Sequence, residues 1–196
     1  MAVFLRDPTY PEREGDYRAF QQELIRSLRD AFPDVEIVEA DAGPSASIPG
    51  WMVTLGATGW FIFSAPSTIN DNLPIWKSHF ERLTEIAKDL GSQLSIDVHD
   101  AAAISIEAVT VAYGWNPNSI EIVDIHAHCQ NLNGVWASSF EIAELTTGQH
   151  SPQLHADAIR QYDCRYFLLI RYECDAVSVI VRADGSIEKI MRLGWR

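Results

Sequence analysis

The residues with the clearest chemical potential stand in one short string, Asp124-Ile125-His126-Ala127-His128. On a β-strand alternate side chains share a face, so Asp124, His126 and His128 project together, with roughly 6.5–7 Å between successive members. Two imidazoles and a carboxylate on one face are reasonable ligands for zinc, iron or manganese. His99, Asp97, His150 or His155 could complete such a shell. Strict alternation sends Glu121 to the opposite face, which leaves Asp97 as the better base toward a metal-bound water. That reading is a small metal-dependent hydrolase holding one transition metal ion. The plainer reading is a strand with a polar, solvated face, and no H-x-x-x-H or paired-Cys spacing strengthens the metal.

The string IVDIHAH resembles the D-x-H-x-H signature of the amidohydrolase superfamily. The likeness covers seven residues and stops there. In that family the strand opens a barrel, whereas here 118 residues precede the strand that begins at Ser119 and the chain that follows is too short for seven more strands. Nucleophile elbows, dinucleotide and P-loop glycine patterns and EF-hand loops are all missing. Cys129 follows His128, but neighbouring strand residues face opposite sides and cannot form a dyad.

The 196 residues carry 15 Lys+Arg against 27 Asp+Glu, a net charge of −12. Between Lys88 and Arg160 there is no Lys or Arg at all, and nine acids and five of the six histidines fall in that segment. An acidic face attracts cations, whether a metal ion or a basic protein surface, and disfavours free nucleic acid. The candidate face comprises Asp97, Asp100, Glu121, Asp124, Glu141 and Glu144, with Trp115 and Trp136 as aromatic anchors.

The elements that must position these residues follow from periodicity. Residues 16–32 and 72–90 carry apolar side chains three and four apart, as amphipathic helices do, the second capped by Asn72 with Pro74 in its first turn. Strands are expected at 35–40, in a hairpin of 51–56 and 60–65, at 93–99 and at 119–129. Asp100 is the expected cap of a segment, 101–113, whose alanines favour helix and whose Ile, Val and Thr favour strand. Residues 41–50 and 130–138 read as loops. Ser138 and Glu141 stand at capping-box spacing before a short helix, and Ser151-Pro152 opens another. A meander of 165–172, 176–182 and 186–193 closes the chain, with Asp184-Gly185 at its second turn.

These elements compose a single α+β domain spanning residues 1–196, with a largely antiparallel sheet and packed helices. Three cysteines without a C-x-x-C pair, and no apolar run long enough to span a bilayer, suggest reduced buried thiols, a cytoplasmic protein and no membrane partner. The function expected from this pattern is a non-catalytic acidic protein-binding domain without a cofactor. An inhibitor or immunity-type protein that covers a basic surface of a partner would have these properties.

Overall fold

Apolar side chains at helical spacing fold the first two helices. In the computed structural model, which describes residues 1–7, 17–41, 49–55, 69–131, 134–139 and 163–194, α1 (Tyr17–Ala31) buries Phe20, Leu24 and Leu28. The second helix, α2 (Ile69–Asp89), buries Leu73, Trp76, Leu83, Ile86 and Ala87. It starts a turn before the expected Asn72 cap, so Pro74 lies inside the helix. The Asn118 side chain accepts from the Asn70 N–H at 3.0 Å, a tertiary cap that no local pattern nominates. Gly91 ends α2 in the left-handed region at φ 67°. The N–H groups of Ser92 and Gly91 return to the Ala87 and Lys88 carbonyls, closing the helix as a Schellman turn.

Residues 93–99 alternate like one strand, yet only β4 (Gln93–Ile96) is extended. Asp97 turns the chain into α3 (Val98–Tyr113), and its Oδ1 accepts the Asp100 N–H at 2.8 Å. Asp97 is therefore the cap, and Asp100 is the third residue of the helix. Nearly the whole circumference of α3 is buried, with Ala101, Ala102 and Ala103 fully enclosed. A helix apolar all round belongs inside the protein, where packing outweighs the weak strand preference of its Ile, Val and Thr residues.

The strands form two antiparallel sheets where one was expected. The first combines β1 (Ala2–Arg6), β2 (Val35–Asp41), β3 (Pro49–Leu55) and β4 in the order β2-β3-β1-β4. The second comprises β5 (Glu121–Asn131), β6 (Gly134–Ser139), β7 (Asp163–Tyr172), β8 (Asp175–Arg182) and β9 (Ile187–Leu193), ordered β6-β5-β7-β8-β9. The α+β class and the C-terminal meander are as the pattern predicts. The supposed loop 130–138 is instead largely strand, with Gln130 opposite Val135, and Ser138 lies on β6 rather than at a helix cap. The expected strand at 60–65, the short helix after Glu141 and the helix opened by Ser151-Pro152 lie outside the described residues.

α1 packs on β2 and α2, α2 leans on β4, and α3 crosses β7, β8 and β9. One buried apolar cluster draws on both sheets and all three helices. The β8–β9 turn is tied into it. A Cβ on Gly185 (φ 82°) would lie 2.6 Å from the Phe80 ring and 3.2 Å from Ile104, so glycine lets the hairpin tip touch α2 and α3 at once.

A buried seam joins the sheets. The Ile96 N–H donates to the Ala183 carbonyl at 2.8 Å, and the Tyr166 hydroxyl donates to the Ile96 carbonyl at 2.7 Å. Tyr166→Phe leaves that carbonyl buried and unpaired, so we expect a loss of about 1–3 kcal/mol. The readout is the urea midpoint, and an unchanged midpoint would show that the seam does not depend on this bond.

The thiols differ from the expected reduced, buried set. Cys164 is disulfide-bonded, Cys174 is free and exposed, and the residue opposite Cys164 in the β5–β7 register is Cys129. Among the described residues no helix is long and apolar enough to cross a membrane.

Candidate functional site

The β5 string folds as a strand, with Ile125 and Ala127 buried beneath it. Asp124, His126 and His128 do share the outer face, but they do not gather. His126 Nε2 lies 2.6 Å from Asp124 Oδ2, whereas the His128 ring packs on Phe167 with centroids 4.9 Å apart. Among the described residues no three His, Cys, Asp or Glu side chains are grouped so as to hold a metal ion. His150 and His155 lie outside the described residues.

A register shift between Ile122 and Asp124 changes one assignment. The extra residue of a bulge reverses the alternation that follows it. Glu121, expected on the far side, therefore joins Asp124 on the outer face, where Arg171 pairs with it across the strands at 2.5 Å. Both β5 acids thus have partners on the same face.

The other members of the expected acidic face are scattered. Asp97 and Asp100 are buried, 5% and 0% exposed, and are lost to any docking surface. Trp115 is buried too, stacked between Tyr113 and Tyr172 at 5.0 Å from each. Trp136 lies on β6 rather than in a loop. Glu141 and Glu144 fall outside the described residues. A base-free stretch of sequence is here partly core, so it cannot act as one patch.

Asp97 and Asp100 instead form a polar cluster at the buried start of α3. His99 Nδ1 is 3.5 Å from Asp97 Oδ2, and the Trp76 indole N–H donates to Asp100 Oδ1 at 2.8 Å. Burial alone would raise the Asp97 pKa, but the hydrogen bond and charge of His99 and the Asp100 N–H together hold it below the carboxylate range. Burial and the neighbouring Asp97 charge push Asp100 up to about 7. For His99 burial works downward, and the Asp97 and Asp100 carboxylates outweigh it and raise its pKa. The cluster sits beside the seam, since Tyr166, whose hydroxyl bonds Ile96, is raised by burial and then by these same two carboxylates. Its geometry is that of a buried structural network sensitive to protons.

An accessible acidic feature lies elsewhere, between α1 and α2. Glu23 and Asp30 from α1 and Glu85 and Asp89 from α2 line a groove with Ile86 and Leu90, and Arg82 is the one base in its wall. Glu23 is paired with Arg26 at 2.6 Å and Glu85 with Arg82 at 3.3 Å. Asp30 and Asp89 have no ion-pair partner among the described residues. Glu81, Glu85 and Asp89 stand four apart and form one exposed stripe of α2. That spacing is legible in the sequence, where the base-free segment is the more conspicuous feature.

No family model, curated protein or solved structure matches the chain. What points to a function is the surfaces themselves.

Proposed function

We propose that the protein is a non-catalytic binding domain that covers a basic surface of a partner protein, as an inhibitor or immunity-type protein does. The observation that carries the reading is the α1–α2 groove, lined by Glu23, Asp30, Glu85 and Asp89 beside Ile86 and Leu90, where Asp30 and Asp89 have no ion-pair partner among the described residues. Like-signed charge in a cleft focuses the field and speeds encounter with a cationic partner. Ile86 and Leu90 are the apolar side chains beside these carboxylates that a partner would cover. The net charge of −12 adds a long-range attraction of the same sign.

The groove replaces the face expected from the sequence. Steering would come from Asp30, Glu81, Glu85 and Asp89 instead of Asp97 and Asp100. The test is affinity capture from a lysate of the source cells, followed by association kinetics with the captured protein. A Glu85→Lys/Asp89→Lys double variant serves as the control. We expect a basic protein whose association slows roughly tenfold or more in the variant and loses most of its salt dependence. Capture of neutral or acidic proteins only, or equal association rates for both proteins at low salt, would refute the acidic groove.

A further inference from the structure

The α1–α2 groove does not end at Arg82. Arg82 and Glu85 also line a second cleft, of about 360 Å³, together with Ser78, His79 and Glu81 of α2. His79 and Phe32 line a third, of about 270 Å³, with Pro33, Val35 and Leu55. Ala31 borders all three. One channel thus runs along α2 from Leu90 to His79 and ends beside β2 and β3. From Asp89 to His79 it follows roughly 15 Å of helix.

The two ends of the channel differ in chemistry. Carboxylates line the groove end from both helices, Glu23 and Asp30 on α1 and Glu85 and Asp89 on α2. Glu81 continues the α2 row one turn further. Arginines neutralise Glu23 and Glu85, which leaves Asp30 and Asp89 as the uncompensated charges. The side chains of Ser27 and Ala31 in the same lining are small, so they leave room that larger ones would fill.

The far end is mostly apolar. The chain leaves α1 in a turn closed by the Val35 N–H on the Phe32 carbonyl at 3.1 Å, and Val35 then pairs with Leu55 across β2 and β3. This turn sets Phe32, Pro33 and Val35 around one pocket, with Asp34 as its only carboxylate. The His79 ring meets Phe32 with centroids 5.5 Å apart and planes at 78°. Its Nδ1 is buried and has no hydrogen-bond partner among the described residues. A buried polar atom left so costs about 1–3 kcal/mol, and an incoming group that bonds to it recovers that cost.

We infer that this channel seats a basic amphipathic helix of the partner protein, with a tyrosine at one end of that helix in the His79 pocket. The inference rests on the binding reading above and adds the form of the partner. Acids on both helices, with Ile86 and Leu90 in the same lining, match an apolar stripe bordered by bases on each side. An amphipathic helix presents such a stripe, whereas an extended chain sends alternate residues away. A tyrosine hydroxyl both donates and accepts, so it satisfies the His79 Nδ1 in either tautomer. Its ring meanwhile covers apolar pocket surface, as aromatic anchors do at interfaces.

The test is fluorescence anisotropy of labelled peptides titrated with the full chain at low ionic strength. The probe is a leucine–lysine amphipathic helix of about 15 residues with a terminal tyrosine, made with the tyrosine at either end. One control scrambles the sequence, which keeps the charge and loses the stripe, and another replaces the tyrosine by phenylalanine. Saturable binding is expected for one polarity, roughly tenfold or more weaker for the scramble and about three- to tenfold weaker for the phenylalanine peptide. His79→Leu should erase the difference between tyrosine and phenylalanine, and Glu85→Lys/Asp89→Lys should weaken both peptides about tenfold. Equal binding of helix and scramble, both sensitive to the charge reversal, would overturn the helical partner and leave the acidic groove standing. Equal affinity of the tyrosine and phenylalanine peptides would overturn the His79 anchor. Absence of saturable binding by every peptide would overturn the inference, while association kinetics with the captured partner judge the groove independently. Binding that the charge reversal leaves unchanged would overturn both.

Discussion

Asp100→Asn stabilises the protein above neutral pH, by up to about 4 kcal/mol. The physical reason is a carboxyl that folding makes hard to ionise. Burial, then the charge of Asp97, carry Asp100 from 3.8 to about 7. Between those values the folded chain holds a proton that the unfolded chain has released, so stability falls as pH rises from about 4 to about 7 and then levels off. Asparagine keeps an oxygen for the Trp76 indole N–H and has no charge to bury. The variant should therefore show a flat profile over that window where the parent declines. His99 adds a second, smaller slope, because its raised pKa means stability is lost as pH climbs beyond about 6.5. Urea midpoints at about pH 4.5, 6 and 8 separate these contributions. Parallel profiles for parent and variant would remove Asp100 from the account.

Asp97→Ala has the opposite effect and costs about 3 kcal/mol at neutral pH. The substitution removes the N-cap of α3, worth about 1 kcal/mol, and takes away the carboxylate paired with the buried His99. Breaking a buried pair typically costs about 3–5 kcal/mol, and relief of like-charge repulsion at Asp100 offsets part of it. Asp97→Asn keeps an oxygen for the Asp100 N–H and so should lose less, by about 1 kcal/mol. Because Asp97 is held below the usual carboxylate range, its contribution is present above about pH 4 and disappears as acid protonates it. A cost for the alanine variant that does not shrink in acid would mean the ion pair contributes nothing. Equal midpoints for the two variants would mean the same of the cap.

These two residues also show how sequence reading and tertiary structure part company. Asp97 and Asp100 sit three apart, a spacing that fits a helix cap and an acidic patch equally well. What separates the two is whether α3 is inside the protein, and that depends on β7, β8 and β9, far along the chain. Trp115 is another such case, since its loop-like GWNPN context says nothing of Tyr172, the ring it stacks on. The bulge at Val123 is a third. A strict two-residue alternation assigns Glu121 to the wrong face, and only the pairing with β7 reveals the extra residue.

Local physics was sufficient for much of the rest. The apolar stripes of α1 and α2, the alternation of β2 and of β5 from Asp124 onward, and the Asp-Gly turn of the meander depend on interactions within a few residues, and sequence states those directly. The net charge and the stripe Glu81-Glu85-Asp89 were equally present in the chain. Tertiary structure decided which charges face water and which face each other. It put the nine-acid segment partly into the core, left the acidic groove on α1 and α2, and joined that groove to a pocket collected from α1, β2, β3 and α2. Burial and convergence are long-range properties: they depend on which elements pack together, and no spacing along the chain encodes that.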